Sequence, residues 1–504
     1  MTLNIDVDVC IYGGTSAGVT AAVQARRSGL SVVVLHSGAF LGGLSAGGLG
    51  FTDVGNQRAV GGIAREFYKR VGKAYGVVEE WRFEPHVAEQ VFKDFIAETD
   101  TPVYYNVRLR GLSKANDKIT SIVTESGDVV SARAFIDASY EGDLMALAGV
   151  SFHIGRESNS TYGETLNGAQ IHHSHQFNHP VSPYVVEGVP GSGLLPGIED
   201  GPLPVVGEGD HRVQAYNYRM CLTKVPDNRM PFPKPLHYDR AWYVLLARYY
   251  KTGWNETFRK YDPIRNNKTD TNNHGAVSTD FIGQNFAYPN ATWAERLHIL
   301  DAHKNYQQGL MWFLANDPEV PQDVRDAMNE WGLPRDEFKA TGGWPHQLYI
   351  REARRMVTDV VMTEHHCRGT EVVDDAVGLG AYGMDSHNCR RYVLDGQVRN
   401  EGDVQVHGFP PYRISYRSIV PRKHECTNLV VPVCAAASHI AYGSIRMEPV
   451  FMVLGQSAAV AAQLAIQQKV ALQDVPYSDL GAALTELGQI LVPPPKAVNT
   501  QLGI

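Results

Sequence analysis

Ile5-Asp6-Val7-Asp8-Val9-Cys10-Ile11-Tyr12-Gly13-Gly14-Thr15-Ser16-Ala17-Gly18 is the stretch on which the fold turns. Asp6 and Asp8 alternate with Ile5, Val7 and Val9, and the run then becomes wholly apolar, as a buried parallel strand does. It stops at two glycines. Residues 17–28 are rich in small side chains and end at Gly29, where a helix can finish on a left-handed residue. Residues 31–35 are a second apolar, β-branched run. Strand, tight turn, helix and strand within about thirty residues is the context a dinucleotide-binding fingerprint needs.

The turn has a direct physical reading. Gly13 allows the sharp exit from the strand, and Ala17 and Gly18 let the helix lie close to the sheet. The helix N-terminus then offers free N–H groups and a positive partial charge to a pyrophosphate. In strict G-x-G-x-x-G register the second glycine is Thr15, whose β-carbon either pushes a phosphate outward or offers it a hydroxyl. His36 replaces the acidic residue expected on a ribose hydroxyl. One hydrogen bond to that ribose, or a surface histidine, are its two readings. Five glycines lie within Leu41 to Gly50, too many for a helix or a central strand, so the spacing predicts a loop passing close to a cofactor.

Working outward, periodicity predicts helices over 61–75 and 85–99, strands over 103–109 and 132–138, and a hairpin around Ser126-Gly127-Asp128. Near the other end, 428–433 reads as a strand, 434–447 as a loop and 449–469 as an Ala-rich helix begun by Pro449. A helix over 348–362 would place Arg351, Arg354 and Arg355 on one face, as either a solvated basic face or a cationic patch. Residues 150–345 show weak periodicity.

The chain has 504 residues, 43% apolar and 20% charged, with a net charge of −8. That excludes a disordered or fibrous chain and gives no basic footprint for nucleic acid, so a small molecule is the expected partner. Six scattered cysteines (Cys10, Cys221, Cys367, Cys389, Cys426, Cys434) form no C-x-x-C pair, and no signal peptide or membrane span is read. The expectation is a cytoplasmic protein of undetermined oligomeric state. His172, His173, His175 and His179 lack carboxylate or thiolate company, so no metal is expected.

At these residues the chain resembles the FAD-dependent oxidoreductases with a glutathione-reductase-type FAD domain. The branch it resembles opens with G-G-T-x-A-G and continues G-G-x-x-x-G-G-L-G-x-T-D, here Gly42-Gly43-Leu44-Ser45-Ala46-Gly47-Gly48-Leu49-Gly50-Phe51-Thr52-Asp53. Thr15 fits this branch; His36 departs from its usual Glu. The likeness is dense over 10–53, 137–145, 347–357, 377–392 and 412–457, and it includes Ser438-His439-Ile440-Ala441-Tyr442-Gly443-Ser444-Ile445-Arg446-Met447-Glu448-Pro449. It implies an α/β fold: a discontinuous Rossmann FAD domain (1–150 and 416–504) with an inserted α+β substrate domain (151–415). FAD is the implied cofactor, held by Gly13, Gly14, Thr15, Ser16, Ala17, Gly18, His36, Ser37, Gly42, Gly43, Leu44, Gly48, Val107, Ala138, Ser139, Asp143, Arg446 and Gly455. The 438–447 loop is implied to border the isoalloxazine, with the next helix aimed at its N1–C2=O edge.

The expected chemistry is hydride transfer from a CH–OH group of a small polar, sugar- or polyol-like substrate to flavin N5. His439 and His387 are the candidate bases, because imidazole titrates near neutrality. Tyr442 is a candidate to orient the substrate and Arg446 to stabilise reduced flavin. Two alternatives stand beside this: an FAD-dependent monooxygenase or desaturating oxidase acting on a secondary metabolite, and a non-redox flavoprotein with structural FAD.

Overall fold

Strand β1 (Asn4–Tyr12), helix α1 (Ser16–Arg27) and strand β2 (Val32–His36) form the predicted unit in the computed structural model, which describes residues 3–495. β1 runs parallel to β2, with Ile11 opposite Val34, and parallel to a strand over Val129–Asp137, with Ile11 opposite Ile136. This central position explains the sequence pattern: Val9 to Tyr12 are at most 1% exposed and must be apolar throughout. A mixed seven-stranded sheet grows from this centre. A parallel strand at Val103–Tyr105 extends it beyond β2, and an antiparallel pair, Leu109–Ala115 and Lys118–Thr124, extends it beyond Val129–Asp137. Its seventh strand, Leu429–Val430, comes from the far end of the chain and pairs in parallel with Phe135 and Ile136. Both ends of the polypeptide therefore share one hydrophobic core.

The Glu448–Gln468 helix lies against α1. A β-carbon on Gly455 would come 2.2 Å from the Ala17 carbonyl oxygen, so its glycine is explained by helix-to-helix approach. This helix is long and apolar enough to cross a membrane, contrary to the sequence reading, but 89% of its apolar window is buried here, as in a core helix. On the other flank, helices Gly62–Ala74 and Pro85–Glu98 close an aromatic cluster in which Phe67 stacks on Phe92 at 4.5 Å and Tyr68 on Trp81 at 3.7 Å.

Several local expectations are corrected. No helix forms over 348–362; the backbone is irregular apart from Leu348–Tyr349 and Arg355–Met356. The three arginines are buried and reach apart: Arg351 toward Asp280, Arg354 toward Asp143 and Arg355 toward Glu157 and Glu352. Satisfying three buried guanidiniums outweighs local helix propensity. Residues 434–447 contain a helix, His439–Ile445, begun where the Ser438 hydroxyl accepts the Ala441 N–H. The glycine-rich stretch contains one helical turn, Gly43–Ala46. The predicted 103–109 strand is broken after Tyr105, where Asn106 has φ +57°.

Candidate active site

The turn after β1 is built around Gly18 and Thr15. A β-carbon on Gly18 would lie 1.8 Å from the Gly13 carbonyl oxygen, so no larger residue fits. Gly13 has φ +112°, a conformation that L side chains rarely adopt. The Thr15 hydroxyl donates to the Ala138 carbonyl at 2.7 Å and accepts the Gly18 N–H at 3.3 Å. It caps the helix, so in this geometry the hydroxyl is not free for a phosphate.

Among the described residues, the N–H groups of Thr15, Ser16 and Ala17 have no acceptor, although all three residues are buried. Glu448 and Val450, at the start of the Glu448–Gln468 helix, are in the same position. The two ends meet, because Ser16 donates to Glu448 Oε2 at 2.5 Å and Tyr140 donates to Glu448 Oε1 at 2.6 Å. Burial pushes the Glu448 carboxyl up, which tempers its repulsion of another anion. A buried unpaired N–H costs about 1–3 kcal/mol, and paired helix N-termini favour an anionic group. The residues present therefore fit the pyrophosphate of FAD.

Several other predicted cofactor residues have polar atoms engaged within the protein. His36 Nδ1 accepts the Gly14 N–H at 3.0 Å and Nε2 faces the Phe40 carbonyl at 2.8 Å, leaving neither nitrogen for a ribose hydroxyl. Burial pushes His36 down to about 4, so it is neutral. Asp143 pairs with Arg296 and Arg354, and Ser139 with Asp137. Ser37 follows His36 at the end of β2, and the Val107 N–H donates to the His36 carbonyl. Leu44 donates its N–H to Tyr140, and Gly42 its N–H to the Gly14 carbonyl. A β-carbon on Gly43 would come 2.2 Å from the Tyr140 hydroxyl. Gly48 abuts the Arg219 carbonyl, to which its β-carbon would come within 2.0 Å. The glycine-rich loop is thus pinned by protein as well as facing the turn.

That loop runs directly into Phe51, Thr52 and Asp53, which line a cavity of about 380 Å³. Across it stand Tyr349, Asp385 and His387. Its cations are matched: Arg219 holds Asp270 at 2.7 Å through two nitrogens and lies 3.6 Å from Asp53, and Lys260 lies 3.4 Å from Asp262. His387 Nδ1 is 2.7 Å from Asp280 Oδ2, while among the described residues Nε2 makes no hydrogen bond and stands 3.7 Å from Asp385. With Asp280 ionised, Nδ1 carries the hydrogen and Nε2 keeps its lone pair when the ring is neutral. Burial pushes Asp280 up, but Arg351, 2.9 Å away, and His387 outweigh it and hold the carboxyl at about 2. Asp385 is likewise held well below the ordinary range by His387 and Arg446 against burial.

Of the four candidate catalytic residues, only His387 lines this cavity. His439 is 1% exposed, with Nδ1 on Glu352 at 2.7 Å and Nε2 on Ser386 at 2.9 Å. Tyr442 donates to the Val433 carbonyl. Arg446 sits behind the wall, donating to Tyr349 and Asp385. Asp280 and Tyr349 were not singled out from sequence, and Asp385 stood there only as part of the resemblance, without a role. Asp385 and Tyr349 lie in stretches that carry the resemblance, but Asp280 belongs to no motif.

Asp403, 4% exposed beside this group, has Oδ2 without a partner. Burial, then Asp385, pushes it up to about 7. A carboxyl raised on folding contributes its stability below about pH 3.9 and loses it as pH climbs through the folded value. Asp403→Asn is therefore expected to raise the melting temperature more at pH 8 than at pH 5, with a gain of at most about 4 kcal/mol at the higher pH. Thermal unfolding at both pH values checks this; equal shifts would refute it.

Among the described residues, Glu84, His86 and Glu337 are the group whose ligand atoms lie close enough to hold a metal. The Lys268 ammonium already fills that role, 2.6 Å from Glu84 and 2.7 Å from Glu337.

An anion site at the carboxyl edge of a parallel sheet, one loop away from a polar cavity, is the layout of a nucleotide-dependent enzyme. Similarity to known proteins makes the class specific. A family model described as FAD dependent oxidoreductase matches residues 8–484, and the chain belongs to that family. Thiamine thiazole synthase of Methanococcus maripaludis strain C6 is 31% identical over 136 residues, 26% of this chain and 51% of the relative. The chain thus spans about half the length of the curated relatives it matches. Among solved structures, a flavin-containing monooxygenase from Stenotrophomonas maltophilia aligns over 31% of this chain and 44% of its own at 19% identity and TM-score 0.21. L-amino acid deaminase from Proteus vulgaris aligns over 31% and 54% at 14% identity and TM-score 0.25.

Proposed function

We propose that this oxidoreductase removes a hydride from a CH–OH group of a small, polar, sugar- or polyol-like substrate. In this reading a glutathione-reductase-type FAD domain is made of residues 1–150 and 416–504, and residues 151–415 carry the substrate side. The observation that supports it most is His387, oriented by Asp280 on the wall of a polar cavity, with Nε2 3.7 Å from Asp385 and in no hydrogen bond among the described residues. FAD, when bound, supplies the two-electron acceptor. The N–H groups of Thr15, Ser16 and Ala17 would hold its pyrophosphate, with those of Glu448 and Val450 beside them.

The chain's own residues handle the proton. His387 Nε2 takes it from the substrate hydroxyl, and the Asp280 carboxylate fixes the tautomer and stabilises the imidazolium that forms. Arg446 keeps a positive charge behind the Tyr349 and Asp385 wall. The wall offers no unmatched cation to an anionic substrate, whereas hydroxyl groups can donate to Asp53 and Asp262 and accept from Arg219 and Lys260. Anaerobic titration of the FAD-loaded protein with neutral sugars and polyols, sugar acids and amines tests the reading. Bleaching of the oxidised flavin by neutral alcohols supports it. Bleaching by none of them, or turnover that consumes NAD(P)H and O2 with substrate, would overturn it.

A further inference from the structure

The Tyr349 hydroxyl is held from one side only. Its oxygen accepts from Arg446 Nη1 at 2.6 Å, and among the described residues its own hydrogen has no acceptor. The ring forms part of the cavity wall. Three guanidiniums surround it, with Arg351, Arg446 and Arg219 at 4.7, 5.4 and 5.8 Å from the ring centroid. Each of the three is fixed by its own carboxylate: Asp280, Asp385 and Asp270 respectively. Tyr349 therefore has little freedom to swing away. With one lone pair taken by Arg446, its O–H is left to the cavity.

We propose that Tyr349 is a catalytic residue, donating a hydrogen bond to the substrate oxygen whose proton His387 removes. The inference rests on the reading of the cavity as the site of alcohol oxidation. The two groups impose opposite demands on one atom. Tyr349 needs an acceptor and His387 Nε2 needs a donor, and a hydroxyl is both. A protonated amine has no lone pair for Tyr349, and a carboxylate has no hydrogen for His387, so the pair selects alcohols over amines and acids. The balance is complete: the C–H bond breaks with its electron pair leaving as hydride, which FAD would accept when bound, the O–H proton goes to His387, and a C=O bond forms. Tyr349 keeps its proton throughout and its bond to the oxygen passes from alcohol to carbonyl. Burial raises Tyr349 above the ordinary phenol range against the lowering by its arginines, so it stays a donor at working pH.

Tyr349→Phe removes the donor and keeps the ring. The expected result is about a hundredfold loss in kcat/KM for the best alcohol. The carbonyl product, titrated calorimetrically into the FAD-loaded protein, should bind about tenfold more weakly. Flavin content and melting temperature should hold, and selectivity for the alcohol over its amine isostere should shrink. Unchanged product affinity together with an unchanged alcohol rate overturns the role of Tyr349 while leaving alcohol oxidation standing. A wild-type flavin that no alcohol bleaches overturns both. If the Phe variant does not fold, 3-fluorotyrosine at 349 retains the O–H and makes it more acidic; product affinity that follows this acidity supports the proposal, and unchanged affinity refutes it.

Discussion

Asp280→Asn lowers alcohol oxidation by about a thousandfold while the substrate KM changes little. The reason is a tautomer. The Asp280 carboxylate can only accept, so His387 Nδ1 must carry a hydrogen and Nε2 is left with a lone pair. An asparagine amide can instead donate to Nδ1, which moves the ring hydrogen to Nε2, where it blocks proton uptake from substrate. Asp280 also pairs with Arg351, so the variant must be shown to retain flavin and melting temperature before its rate is interpreted. Rapid-mixing flavin reduction under anaerobic conditions isolates the step. A loss below about tenfold would remove His387 from the role of base. His439→Gln supplies the contrast. Its imidazole is also held by a carboxylate, Glu352, but its second nitrogen meets Ser386 inside the protein, so its loss should affect stability more than the rate of flavin reduction.

The legible parts of the molecule are those whose causes are local. β1, α1 and β2 follow from apolar runs, a glycine turn and small residues within about thirty positions, and the fold begins with them. The Glu448–Gln468 helix was read within a residue at each end because Pro449 can only begin a helix. The arginine run was misread because, Glu352 apart, its carboxylate partners Asp143, Glu157 and Asp280 are remote in sequence, and local spacing says nothing of them. His36 shows the same limit. Only the fold shows that Gly14 and Phe40 take both of its nitrogens. Asp280 carries no motif at all; its importance is created by the chain bringing it to His387. The strand–turn–helix was therefore readable, and the pairing of His387 with Asp280 was not.

Lys268→Met is expected to destabilise the protein by about 3–5 kcal/mol. Lys268 is 1% exposed, with its ammonium within 2.8 Å of Glu84, Glu337 and Asp336. Asp336 reaches solvent, but Glu84 and Glu337 are 2% and 1% exposed and would face each other with only the His86 imidazole, when protonated, left as a cation. Tyr75 and Asn266 donate to Glu84 and His86 to Glu337, which is not enough to solvate two buried charges. Urea unfolding followed by tryptophan fluorescence measures the loss. Adding Glu84→Gln and Glu337→Gln to Lys268→Met should recover most of it, because the penalty comes from the abandoned charges and not from the missing methylenes. If the ammonium is the cation of this cluster, chelators leave the wild type unchanged; a chelator-induced loss of stability, or a Met variant within about 1 kcal/mol of wild type, would show that something else holds the site. The effect should extend to the cavity. Lys268 and Asp270 share the Lys268–Thr271 strand, and Asp270 both holds Arg219 on the cavity wall and accepts the Phe51 N–H, so loosening this strand raises KM for the substrate before the flavin is lost.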